Sequence, residues 1–371
     1  RGHAEKDLNS STIEKIGYAL GLKIKENNSN YVYIGYDSRL SCEEIKSNLI
    51  RGINAAGVKV LNLGLVPTPI VYYATKVGDT SNGIMITGSH NPKDDNGLKM
   101  VINDNAVSGI EIKESVENLG EIPTSDIEMV ENLDLKKKYI EEVMNKVKIN
   151  KKLKVVLDAG NGAAGILAEE MFTTLGHEVI SINKEPDGNF PNHHPDPSKE
   201  KNLIEIKREI DSTNADIGFA FDGDGDRIGL ITNKGESVIA DQIIMLMAEF
   251  YLDQVKGPIV FDVKCSNQLP LLIEKFGGEP VMEKNGHFNI KKRIRQTNAV
   301  MGGEMSGHIF INHDWYGFDD AIFSAVILTK IITDLDVSIS KLVNKIPSTH
   351  STPELNLDVK DEEKFNMVKK Y

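Results

Sequence analysis

The stretch GIMITGSHNPKDDNGLK, residues 83 to 99, carries one serine, Ser89, out of an apolar run into a loop with His90, two aspartates and Lys99. A neutral serine is a weak nucleophile and needs an activating base or a special setting. A second stretch, FAFDGDGDRIGL at 219 to 230, alternates Asp222, Asp224 and Asp226 with glycine and then presents Arg227. Three carboxylates this close repel one another unless a cation sits among them, and hard oxygen donors suit Mg2+ or Ca2+. A calcium-binding EF-hand loop would need glycine at its sixth position and glutamate at its twelfth. Arg227 and Asn233 stand there instead, so that rival fails and a plain acidic hairpin is the bland alternative.

Two further stretches are polar where an apolar run ends. GGEMSGHIF, 302 to 310, sets Glu304, Ser306 and His308 among glycines, which suits binding of hydroxyl groups or, as easily, a surface turn. EKNGHFNIKKRIR, 283 to 295, puts His287 ahead of a basic helix whose plainer reading is a solvated face. Gly160, Gly162 and Gly165 in DAGNGAAG have the G-x-G-x-x-G spacing of a dinucleotide turn. The acid expected about 20 residues on is met only loosely, by Glu178 or Glu185, and a tight strand-to-helix turn explains the glycines as well.

For Ser89 two chemistries compete. In acyl transfer His90 would be the base, but neighbours on an extended chain point to opposite faces, and the stretch is not a G-x-S-x-G elbow. In phosphoryl transfer Ser89 would carry a group of about −1.5 to −2 charge, which needs a metal and cations. The aspartates would hold the metal while His90, Lys99 and Arg227 supply positive or donor groups, Arg227 being suited to a bidentate grip. That reading uses three stretches at once and is preferred.

These residues must be positioned by something. YVYIGYDSR, LKVVLDAGNGAAG and GPIVFDVKCSN each read as a strand, followed by a helical segment ending at Gly57, Gly176 or Gly277 and then a second strand. Glycine fits the left-handed position past a helix end. The expectation is an α/β protein of three similar βαβ-based domains, with mixed, mainly parallel sheets around a central cleft. The boundaries expected are 1–134, 135–238 and 239–350, with 351–371 beginning a fourth. LKKKYIEEVMNKVKINKKLK reads as a solvated joining helix, and NKGESVIADQ as a hinge. The formal charge of −12 argues against a nucleic-acid partner. The longest apolar run, Ala321 to Leu335, is interrupted by Lys330, so no membrane span is expected. Two cysteines, Cys42 and Cys265, cannot make a disulfide framework and suit the cytoplasm. A monomer or weak dimer is expected.

TGSHNP, DGDGDR and GEMSGH, in this order, resemble the α-D-phosphohexomutase family, and Met305 is most similar to its bacterial phosphomannomutase/phosphoglucomutase group. GYDSR at 35 to 39, VPTP at 66 to 69 and HHPDPSKEKNL at 193 to 203 extend the likeness over essentially the whole chain. The resemblance implies that Ser89 is the phosphorylated serine and that Asp222, Asp224 and Asp226 bind Mg2+ with an oxygen of it. It implies that His90, Lys99 and Arg1 line the transfer site and that Arg227 faces the substrate. Lys264 and His287 would contact a phosphosugar, Glu304 and Ser306 would hold its hydroxyls, and His308 would share acid/base work. The implied reaction interconverts hexose 1- and 6-phosphates through a bound hexose 1,6-bisphosphate that turns end for end. Glucose and mannose share the 3- and 4-hydroxyl configuration, so both are expected substrates. Glucosamine phosphate and an idle sugar-phosphate-binding protein are the alternatives. The family's fourth domain grips the phosphate not being transferred; only its first strand is expected in 351–371, so slow turnover is expected of this chain.

Overall fold

The computed structural model describes residues 1–123, 129–347, 359 and 361–368. Three sheets organise it, each a parallel core finished by an antiparallel strand. The first runs in the order Asn105–Ala106, Leu98–Ile102, Gly83–Ile86, Tyr31–Tyr36, Lys59–Leu65, Val130–Asn132. Its last four strands are parallel, and Leu98–Ile102 returns antiparallel to Gly83–Ile86. The second has Glu178–Ile182, Lys154–Asp158 and Ile217–Phe221 parallel, then Ile228–Thr232 and Ser237–Val238 antiparallel. The third has Glu279–Glu283, Pro258–Asp262 and Met301–Gly303 parallel, then Ile309–Ile311 antiparallel. The expected mixed, mainly parallel α/β architecture is therefore present three times.

Parallel strands need cover on both faces. In the first sheet Val32 and Ile34 join one buried cluster while Tyr33 joins another. On one face the helices Ser10–Glu26 and Cys42–Ala55 touch backbone to backbone. A Cβ on Gly52 would lie 2.1 Å from the Glu14 carbonyl oxygen, so only glycine permits the crossing.

The larger cluster does not stop at one unit. It runs from Tyr72 and Tyr73 through Tyr139 and Phe219 to Trp315 and Phe323. The helix Lys136–Lys146, expected to be solvated, buries Tyr139, Ile140 and Val143, and the Tyr139 hydroxyl donates to Asp320 at 2.8 Å. Its charges had masked an i, i+1, i+4 apolar stripe. The stretch 233–242, expected to join the second unit to the third, holds the Gly235 turn that closes a hairpin of the second sheet, and the helix Ala240–Gln254 starts directly after that hairpin. The strand expected to open a fourth domain falls largely outside the described residues; Asp361–Val368 is a helix. No helix among the described residues is long and apolar enough to cross a membrane.

The sheets explain the placement of the chemistry. Each polar stretch links a parallel core strand to its antiparallel partner: 87–97 in the first sheet, 222–227 in the second, 304–308 in the third. These are topologically equivalent loops at the carboxyl ends of their strands, where open α/β sheets bind ligands.

Candidate active site

Ser89 is fully buried and its hydroxyl donates to Asp222 Oδ2 at 2.7 Å. Its backbone is left-handed, with φ of 54°, which a non-glycine residue adopts only when the surroundings enforce it. That turn also corrects the argument from strand alternation. The chain is not extended at Ser89, and His90 Nδ1 lies 3.2 Å from Ser89 Oγ, on the same side. Burial, and after it the charge of Arg227, holds His90 down at about 4, so its ring is neutral near pH 7.

Asp222, Asp224 and Asp226 present carboxylate oxygens within 4.8 Å of one another, all fully buried. The alternating glycines make this possible: Gly225 has φ of 71°, and a Cβ on Gly223 would lie 2.5 Å from the Ser89 carbonyl oxygen. Asp222 Oδ1 accepts the N–H groups of Asp226 and Arg227, both at 3.1 Å. Asp224 Oδ2 accepts from the Thr68 hydroxyl and from Lys99 Nζ, the latter at 2.6 Å, and Lys99 also donates to Asp226. Burial, then the charges of Asp224 and Asp226, raises Asp222 to about 7. Burial pushes Asp224 and Asp226 upward, but Lys99 with Thr68 on Asp224, and Lys99 with His308 and Arg227 on Asp226, together outweigh it, and both end below the usual carboxylate range.

Asp224 Oδ1 and Asp226 Oδ1 are buried without a hydrogen-bond donor. His308 Nε2 is 3.3 Å from Asp226 Oδ1, an ion-pair distance lacking hydrogen-bond alignment. Buried carboxylate oxygens left open, beside a serine oxygen, fit a hard divalent cation such as Mg2+.

The third loop folds onto this cluster. His308 is clasped by Ser306 Oγ at 2.9 Å and Glu304 Oε2 at 3.1 Å on Nδ1. Glu304 Oε1 accepts the Gly286 N–H at 2.5 Å. Burial alone would lower His308, but Asp226 and Glu304 outweigh it and raise it to about 9. His287 stacks obliquely on His308 with ring centroids 5.7 Å apart. A cleft of 690 Å3 opens here, and Arg1, Lys99, Arg227, His287, Glu304, Ser306 and His308 all line it. Arg1 reaches Asn91 Oδ1 at 3.4 Å. Lys264 stands apart: it is exposed on the loop after Pro258–Asp262 and does not line the cleft.

The glycines of DAGNGAAG are used for packing. A Cβ on Gly162 would meet the Gly223 carbonyl oxygen at 2.7 Å, and one on Gly165 the Lys184 carbonyl oxygen at 1.8 Å. The turn is closed against the acidic loop, which leaves a nicotinamide cofactor without support. Residue-type reasoning assigned no role to Thr68, whose N–H and hydroxyl both bind Asp224, to Asp319, which binds Lys291 at 2.9 Å, or to Arg39 and His194. VPTP, GYDSR and HHPDPSKEKNL were the signals for three of the four.

Three α/β/α units thus contribute equivalent loops to one site, in which a buried serine and carboxylate cluster lie behind Lys99 and Arg227, two cations that line the cleft. Family models described as phosphoglucomutase/phosphomannomutase alpha/beta/alpha domains I, II and III match residues 1–122, 137–235 and 240–350. A phosphomannomutase/phosphoglucomutase of Pseudomonas putida is 45% identical over 99% of this chain and 80% of its own length. A probable phosphoglucosamine mutase of Pyrococcus abyssi is 33% identical over 90% of this chain and 74% of its own. A solved phosphoglucomutase/phosphomannomutase family protein of Burkholderia thailandensis superposes with a TM-score of 0.89 at 40% identity, over 94% of this chain and 78% of that one. The chain belongs to the phosphoglucomutase/phosphomannomutase family.

Proposed function

We propose that this chain is a hexose-phosphate mutase in which Ser89 carries the phosphoryl group exchanged between the 1- and 6-positions of the sugar. The observation that carries the reading is the 2.7 Å contact between Ser89 Oγ and Asp222, inside a carboxylate cluster with two open oxygens. Asp222, Asp224 and Asp226 would hold Mg2+, which offsets charge on the phosphoryl group when bound. Lys99 and Arg227 border both the acids and the cleft, so they bind and orient the phosphate, and positioning supplies much of the remaining rate.

His308 is the proton donor and acceptor we assign to the sugar oxygen. Its raised affinity for a proton makes it cationic near pH 7, with Nδ1 fixed by Glu304 and Ser306. Glu304 and Ser306 hold sugar hydroxyls from the third loop, with His287 beside them, and Arg1 caps the cleft above Asn91. A sugar 1,6-bisphosphate formed on first transfer must turn before returning a phosphate to Ser89, and a cleft walled by three units suits a ligand that loosens without leaving. Glucose and mannose phosphates are the proposed substrates. The two buried free thiols, Cys42 and Cys265, suit a reducing compartment such as the cytoplasm.

Intact-mass measurement after mixing with glucose 1,6-bisphosphate and Mg2+ tests the reading. A gain of one phosphoryl group, absent in Ser89→Ala, is expected. Sugar-phosphate binding with no such gain would make the protein an idle binder. A coupled assay on glucose, mannose and glucosamine 1-phosphates then ranks the sugars, and a preference for glucosamine would overturn the substrate assignment.

A further inference from the structure

We propose that Arg39 and His194 are positioning residues that hold the Ser89 loop in the one backbone shape that aims its hydroxyl at the acidic cluster. The proposal rests on the reading of Ser89 as the phosphoryl carrier.

Arg39 is 2% exposed, and its guanidinium spends its donors on one loop. Nη2 donates to the carbonyl oxygens of Ser89 at 2.7 Å and Asn91 at 2.8 Å. Nη1 donates to those of Pro92 at 2.5 Å and Asp95 at 2.7 Å. The carbonyl left between them, that of His90, accepts from His194 Nε2 at 2.5 Å. A carbonyl can only accept, so Nε2 carries the proton. Four consecutive carbonyls, from Ser89 to Pro92, are therefore captured by two side chains from different units.

Burying a guanidinium is costly unless its charge and N–H groups are satisfied. The carboxylate beside it, Asp37, sits 3.4 Å from Nε without hydrogen-bond alignment. Most of the compensation comes from the carbonyl dipoles of the serine loop, which ties the cation's position to the loop's shape. Packing fixes the plane of the group. A Cβ on Gly88 would lie 2.4 Å from Arg39 Cζ, and the Phe190 ring covers it at 5.5 Å. Phe190 and His194 belong to one segment of the second unit. Gly188 of that segment also lies against Ser38 and Leu40, where a Cβ would meet backbone at 2.6 Å.

The left-handed Ser89 is what this holder enforces. Released, a non-glycine residue relaxes toward negative φ and carries Oγ away from Asp222. The same Ser89 carbonyl that Arg39 grips also rests on Gly223 of the acidic loop. The clamp thereby sets both the turn and its distance from the carboxylates. Lysine cannot replace the fork, because an ammonium is a point charge with three donors.

Single-turnover uptake of phosphate from glucose 1,6-bisphosphate, followed by intact mass, tests the proposal. In this step Ser89 Oγ bonds to phosphorus, the phosphorus–sugar oxygen bond breaks, and the serine proton ends on the departing sugar oxygen. Arg39→Lys is expected to slow the maximal uptake rate on the order of 10²-fold, the cost of roughly 1 Å of misplacement. The half-saturating concentration should stay within about twofold, since the groups that grip the sugar phosphate are untouched. His194→Phe should slow uptake by about tenfold, one lost hydrogen bond to the loop, and His194→Gln should restore much of it. Because His194 is only half buried, its variants test the idea even if Arg39→Lys fails to fold. Unchanged uptake rates in folded variants, or equal loss in His194→Phe and His194→Gln, would overturn the clamp. Failure of the unaltered chain to take up phosphate would instead overturn the reading of Ser89.

Discussion

The loops that carry Ser89 and His308 occupy equivalent places in their sheets, yet they are built for different tasks. The Ser89 loop makes its turn with a left-handed serine and is gripped from outside by side chains fifty or more residues away in sequence, one of them in another unit. The His308 loop is closed by its own backbone and only seated by neighbours: Glu304 N–H donates to the His308 carbonyl at 2.9 Å, the Gly307 carbonyl accepts from Ile228 of the second unit at 3.1 Å, and Gly307, not a side-chain-bearing residue, takes the positive φ of 95°. A loop that delivers one reacting atom must be fixed in absolute position, and strain held by remote groups does that. A loop that reads several hydroxyls needs correct internal spacing first, and the Glu304–His308 backbone bond supplies it. The histidines invert as well. His90 is neutral because burial, and after it Arg227, disfavours charge, while at His308 burial and Arg227 are outweighed by Asp226 and Glu304, which leaves it cationic.

The comparison breaks most completely at Ser89. Ser89→Ala should abolish phosphoryl uptake and lower turnover by at least about 10³-fold, as removal of a nucleophile does elsewhere. Retained uptake, read by intact mass, would move the reacting atom off this loop altogether. The matching change on the other loop is His308→Gln, which keeps a polar side chain but no titratable group. Loss of a positioned proton donor costs about 10² to 10⁴ in turnover. Uptake of phosphate onto Ser89 should suffer with it, while sugar-phosphate affinity measured by calorimetry changes little.

How the two loops are held decided what could be read from the sequence. Ser89, the three aspartates and the Glu304–His308 group were legible because their chemistry is compressed into a few residues with unusual spacing. The parallel strands were legible because burial on both faces makes short apolar runs. Arg39, Thr68 and His194 were not. Their contacts cross 50, 156 and 104 residues, and two of the three grip backbone atoms, which leave no mark on residue type. The orientation of His90 was misread because alternation assumes an extended chain, and a single left-handed residue undoes it. The stripe of Tyr139, Ile140 and Val143 was hidden by the lysines and glutamates around it.

A smaller effect sharpens how the acidic loop is supported from the first unit. Thr68 binds Asp224 through both its N–H and its hydroxyl. Thr68→Val keeps the volume and removes the hydroxyl, so Asp224 Oδ2 loses one of its two donors and keeps only Lys99. Partners of ligating carboxylates are worth roughly 10- to 100-fold in metal affinity or activity. A Mg2+ titration of activity after chelation should shift to higher concentration by about that factor. An unshifted titration would show that the Thr68 hydroxyl does not orient Asp224 for the ion and that Lys99 suffices.

The smallest effect is on stability, and it tests the inverted histidines directly. His308 sits at about 9, above the ordinary value near 6.5 that it regains on unfolding. Its contribution is therefore complete below pH 6.5 and is lost as pH rises through 9. His90 sits at about 4, so the folded state resists its protonation. The unfolded chain then binds the extra proton, and stability is lost as pH falls from 6.5 toward 4. Thermal midpoints measured across pH should fall away on both sides of a plateau near 6.5. His308→Gln should reduce the alkaline limb and leave the acid limb, and His90→Gln should reduce the acid limb without abolishing it, because burial holds His177 down at about 4 as well. If both variants altered the same limb, the two loops would share one electrostatic environment, and the division between a neutral carrier loop and a charged reading loop would fall.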